Sequence, residues 1–171
     1  MTLSVGGLAA YALAAEPSLR RERFKPRDLA MGLGSAAALY GIFQAGDRVA
    51  RRIMPGGARE ISDIYALRTA ASRPAIAAAL ALVIGPGEEL FWHGFVQRNL
   101  ERRLGRLRAW LLTSSIYGAI HLVSANFTLT GAAATAGLFW GGMFARERRL
   151  ASLIISHVSW DIWIFLIAPT E

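Results

Sequence analysis

Stretches free of Asp, Glu, Lys and Arg alternate along this 171-residue chain with short arginine-rich clusters. The uncharged runs cover residues 2–15, 29–46, 74–87 and 109–145. The last is 37 residues long and would form a helix of about 55 Å, nearly twice the roughly 30 Å of a bilayer's hydrocarbon core. It therefore predicts two spans, with a turn near Asn126 to Gly131. Residues 150–168 form a further span-length stretch broken only by Asp161, and 74–97 form one broken by Glu88 and Glu89. The run 2–15 is short for a span and lacks the basic n-region of a signal peptide, so it reads as a marginal first span. The pattern predicts an all-α fold, a polytopic membrane helix bundle of about six transmembrane helices in a single membrane domain. Residues 1–73 supply N-terminal transmembrane and interfacial helices; residues 74–168 supply a core of four transmembrane helices.

Composition sharpens this picture. The chain is 54% hydrophobic and 18% charged, against roughly 45–50% and roughly 25% in soluble domains, which excludes a disordered chain. With no cysteine there is no disulfide framework, thiolate metal site or cysteine nucleophile, and any metal would have to be held by His and carboxylates. The formal net charge of +7 raises the question of a nucleic-acid partner, and its placement answers it. The arginines at 20–27, 48–59, 98–108 and 146–149 bound the apolar runs and line no continuous face. That is the positive-inside pattern of a protein whose partner is a lipid bilayer, with no nucleic acid involved. Putting 98–108 and 146–149 on the cytoplasmic side sends the C-terminus out, for a multi-pass protein of the cytoplasmic membrane. Counting back leaves the segment 47–73 outside despite Arg48, Arg51 and Arg52; either it is an amphipathic interfacial segment or the count is off by one. Gly137 and Gly141 make a Gly-x-x-x-Gly pair suited to close helix contact in lipid, and Trp110 beside Arg108 suits an interfacial anchor.

Ionisable side chains inside spans are costly and mark function by default. Here they are Glu88, Glu89 and His93 on one span, His121 on the next, and His157 and Asp161 on the last, including all 3 histidines of the chain. Measured from the nearest arginine cluster at 1.5 Å per residue, Glu88, His121, His157 and Asp161 lie about 12–20 Å deep, in one slab less than about 10 Å thick. The pairs Glu89/His93 and His157/Asp161 are i, i+4 neighbours, each on one helix face. Such a pocket points to activation of a water by a desolvated glutamate, with amide hydrolysis the natural reaction. Two variants share these residues. One is metal-free with histidines polarising the oxyanion; the other is metal-assisted, with Glu88, His121, His157 and Asp161 as ligands.

The run Glu88-Glu89-Leu90-Phe91-Trp92-His93 resembles the Glu-Glu-x-x-x-Arg motif of the CPBP family, the CAAX protease and bacteriocin-processing (ABI) intramembrane proteases. Tyr117-Gly118-Ala119-Ile120-His121 is similar to that family's Phe-x-x-x-His, and His157-Val158-Ser159-Trp160-Asp161 to its His-x-x-x-Asn/Asp. The match covers roughly residues 74–168. The resemblance implies an intramembrane peptidase of the type II CAAX prenyl endopeptidase kind acting on a membrane-associated peptide or protein. It implies Glu88 as general base, His121 holding the water, His157 and Asp161 stabilising the oxyanion, and Glu89 and His93 in support. It implies no cofactor, with zinc as the open alternative. Three departures stand out. His93 replaces a fixed cation with a titratable group, Tyr117 adds a hydroxyl where the motif has Phe, and Asp161, when ionised, cannot donate to an oxyanion, so it would have to be protonated or would instead orient His157 and sustain its positive charge. Two other readings use the same pocket: a non-catalytic, immunity-like or peptide-binding member of the family, and a small ion transporter.

Overall fold

The computed structural model describes residues 1–54 and 56–169. Among these residues the regular elements are all helical. They are α1 (Thr2–Ala15), α2 (Pro26–Ile53), α3 (Gly57–Ala66), α4 (Arg73–Leu104), α5 (Arg106–Ile120), α6 (Phe127–Glu147) and α7 (Leu150–Ile162, continued by wider π turns over Trp163–Ile167). The helices α2, α4 and α7 with its extension are long and apolar enough to cross a membrane. The 14 residues of α1 extend only about 21 Å. Its first turns face the middle of α4, because a Cβ on Gly87 would lie 2.6 Å from Val5 Cγ1.

Three of the four arginine clusters gather at one end of the bundle. Arg102 Nη2 lies 2.7 Å from Glu16 Oε2, and Arg98 donates to Ser18 Oγ at 2.9 Å. Arg149 clamps Asp28 through two nitrogens and lies 3.9 Å from Glu22. Asp28 in turn caps α2, accepting from the Lys25 amide at 2.7 Å, with Pro26 at the helix start where no amide donor is needed. Residues 16–28, 98–108 and 146–149 thus share an end, as the charge count required.

The segment after Ile53 lies at the opposite end. Glu60 of α3 accepts from Thr128 N at 2.7 Å and from its hydroxyl at 2.6 Å, at the start of α6. Ten residues are too few to cross a bilayer, and α3 buries one stripe, Gly57, Ile61 and Tyr65. It is therefore the amphipathic element of the two alternatives, not an extra span. Arg48, Arg51 and Arg52 belong to the last turns of α2, where Arg51 pairs with Asp47 at 3.0 Å.

One expectation shifts. The hairpin turn comes earlier than Asn126 to Gly131: α5 stops at Ile120, a 3-10 turn covers His121–Ser124, and Ala125 takes the left-handed conformation at φ 52°. Asn126 caps α6 instead of turning, its Oδ1 accepting from Leu129 N at 2.7 Å. Trp110, beside Arg108, donates from Nε1 to the Leu138 carbonyl of α6 at 2.9 Å. The Gly-x-x-x-Gly pair does bring α5 and α6 together, with Ser114 Oγ donating to the Gly137 carbonyl at 2.8 Å. The central core joins Ala12, Leu39, Trp140, Phe144 and Leu153 from α1, α2, α6 and α7.

Candidate active site

The middle of α4 is irregular for a reason readable in its sequence. Pro86 lacks an amide donor and its ring crowds the carbonyl four residues back, so the helix widens into π turns over Leu80–Ile84 before resuming at Gly85. A second π stretch runs over Glu89–Gln97. The bare backbone of Gly85 is needed because a Cβ there would stand 2.8 Å from Val158 Cγ2 of α7. α1 and α7 consequently press on α4 on either side of Glu88, and α7 brings His157 against the glutamate pair.

Glu89 is the hub. It is 1% exposed, with Oε2 receiving His93 Nδ1 at 2.7 Å and Oε1 receiving His157 Nδ1 at 2.7 Å. A carboxylate can only accept, so both imidazoles carry a proton on Nδ1. His157 Nε2 faces Asp161 Oδ2 at 3.5 Å. The His157 ring also stacks on Trp140, centroids 3.9 Å apart and planes at 22°. Trp140 is itself pinned, donating from Nε1 to Ser156 Oγ at 3.0 Å, while Ser35 of α2 donates to the same oxygen at 2.9 Å.

Glu88 is placed differently. It is half-buried, and Oε2 accepts the Tyr117 hydroxyl at 2.6 Å. Tyr117 also connects to His121: its carbonyl accepts from His121 Nδ1 at 2.8 Å and the two rings meet edge to face at 5.0 Å. His121 sits in the 3-10 turn after α5 and is half-buried, so it lies past the end of that helix instead of within a span. Tyr117 is within electrostatic reach of Glu88, Glu89 and Asp161. Two connected strings result: His93–Glu89–His157–Asp161, and Glu88–Tyr117–His121.

Every site residue expected from the sequence falls in one of these strings. Trp140 and Ser156 had no signal in the sequence, because an indole in a Gly-rich helix reads as packing. Among the described residues no three His, Asp or Glu side chains are arranged to hold a metal ion. Glu89 and the Nδ1 atoms of His93 and His157 are turned toward one another, whereas Glu88 Oε1 and His121 Nε2 have no hydrogen-bond partner among the described residues. Chemically, the arrangement offers one buried carboxylate with both oxygens bonded to imidazoles and a second, half-buried one with an oxygen unpartnered among the described residues.

The model of a protein family described as type II CAAX prenyl endopeptidase Rce1-like matches residues 70–163, more than half of the chain. No curated protein and no solved structure matches it.

Proposed function

The chain belongs to the type II CAAX prenyl endopeptidase Rce1-like family, and from that membership and the geometry above we propose that it is an intramembrane peptidase using Glu88 as general base. The substrate is a membrane-associated peptide or protein, reached from within a multi-pass helix bundle of the cytoplasmic membrane. One observation carries this reading: the two adjacent glutamates are bonded differently, Glu89 closed off by two imidazoles and Glu88 bonded through Oε2 alone, with Oε1 unpartnered among the described residues.

In the proposed reaction Oε1 of Glu88 takes a proton from a water as its oxygen attacks the scissile carbonyl. His121 Nε2 accepts the water's other hydrogen and orients it. The negative charge that develops on the carbonyl oxygen is met by His157, whose protonated form is supported from Nδ1 by Glu89 and from the Nε2 side by Asp161. Asp161 thus acts on His157 and not on the oxyanion. The proton on Glu88 then passes to the leaving amine, restoring the carboxylate and completing a hydrolysis with no covalent intermediate.

The test uses purified protein in liposomes with two probes, a peptide ending in a prenylated Cys-aliphatic-aliphatic-X sequence and an unprenylated membrane-spanning peptide. Wild type should cleave at least one, with and without a chelator, and Glu88→Gln should cleave neither. Binding without cleavage by wild type would favour the peptide-binding reading. Proton flux lost on Glu88→Gln with no cleavage by wild type would favour transport.

A further inference from the structure

The hydroxyl that this chain carries where the family's motif has phenylalanine is aimed at the proposed base. Tyr117 Oη donates to Glu88 Oε2 at 2.6 Å. The ring has little freedom to do otherwise: it packs edge to face on Trp92 at 5.4 Å and on His121 at 5.0 Å. On its remaining side it occupies space that exists only because residue 137 has no side chain, since a Cβ there would stand 2.9 Å from Tyr117 Cδ1.

We infer that Tyr117 is a positioning residue for Glu88: by tying Oε2 it fixes the carboxylate so that Oε1 alone faces the water. The inference rests on the peptidase reading above. A carboxylate on a free Glu side chain samples several rotamers and both oxygens, whereas one short hydrogen bond from a phenol locked by three neighbours selects a single presentation. The same residue fixes the second proposed partner of the water, because its carbonyl holds His121 Nδ1 at 2.8 Å and so leaves Nε2 as the ring nitrogen outside that bond. Tyr117 therefore couples the base and the water-holding imidazole through one side chain and its own backbone. Phenylalanine at this position would keep the carbonyl bond and the packing but give up the hold on the carboxylate.

The experiment compares wild type, Tyr117→Phe and Glu88→Gln in liposomes with the prenylated probe peptide, measuring kcat and KM separately. It adds an infrared difference spectrum of the carboxylate stretches, with the Glu88 band identified by its loss in Glu88→Gln. Tyr117→Phe should lower kcat at least about tenfold, the order of one hydrogen bond to a charged group, with KM within about twofold. It should also shift the Glu88 carboxylate band, a readout that mere packing would not move and that needs no turnover. An unshifted band, or wild-type kcat in Tyr117→Phe, overturns the inference. If Glu88→Gln turns over normally, the peptidase reading fails instead, and the infrared comparison still decides whether the hydroxyl holds the carboxylate.

Discussion

Neighbouring glutamates with the same chemistry should respond very differently to the same substitution. Glu89→Gln keeps shape and volume but cannot accept from two N–H groups: its amide nitrogen would face one of the two Nδ1 atoms that now donate to Glu89. One imidazole must change tautomer, or one donor remains buried without a partner. The structure gives no room to relax, since Glu89, His93 and His157 are 1%, 4% and 4% exposed. Losing one charge-assisted hydrogen bond in such a place costs about 2–3 kcal/mol. Glu88→Gln is cheaper, because the carboxamide oxygen can still accept the Tyr117 hydroxyl and Oε1 has no hydrogen bond to lose among the described residues; about 1 kcal/mol or less is expected. At about 2–4 °C per kcal/mol for a chain of this length, Glu89→Gln should lower the unfolding midpoint in detergent by about 4–12 °C, and Glu88→Gln by less than about 4 °C. Intrinsic tryptophan fluorescence during a thermal ramp reads both, with Trp140 stacked on His157 as a local reporter. Equal shifts, or a larger one for Glu88→Gln, would refute the assignment of Glu89 as the hub.

Three further outcomes follow from the same contacts. Asp28 is 1% exposed and its partner Arg149 13%, so Asp28→Asn strands a guanidinium between α2 and α7 and should cost about 3 kcal/mol by thermal unfolding; a change under about 0.5 kcal/mol would mean the clamp is idle. Trp140→Phe keeps the stack on His157 but removes the donor to Ser156, for about 1 kcal/mol, whereas Trp140→Leu loses both and should cost about 3 kcal/mol; equal losses would show that the stack contributes nothing. The Glu16 carboxyl is held below its ordinary range, first by the Ser18 hydroxyl and then by Arg102. A lowered folded-state value contributes stability that is complete above the unfolded value of about 4.3 and is lost as pH falls through the folded one. The midpoint gap between wild type and Glu16→Gln should thus be open at neutral pH and close below about pH 4, and a gap constant across that range would contradict it.

The arginine clusters and uncharged runs made much of this arrangement legible in the sequence. They placed residues 16–28, 98–108 and 146–149 at one end, set the depth of Glu88, His157 and Asp161, and marked the three histidines as one site. What periodicity could not supply was partnership across helices. The i, i+4 spacing of Glu89 and His93 specifies a shared face, but it says nothing of which glutamate His157 of α7 would reach, so the hub read as a support. The stack of Trp140 on His157 depends on the crossing of α6 and α7, for which a single sequence has no signal. Asn126 misplaced the turn because an asparagine before an apolar run serves equally as a turn residue or as an N-cap, and here it caps. His121 accordingly moved from within a span to the 3-10 turn that follows it.

The central claim is that Glu88 activates the water that cuts the substrate, and hydrolysis in oxygen-18 water tests it most directly. Wild-type protein in liposomes should release a product whose new C-terminal carboxylate carries the label by mass spectrometry, and Glu88→Gln, folded to the same helical content, should release none. Labelled product from Glu88→Gln at a rate near that of wild type would contradict the claim.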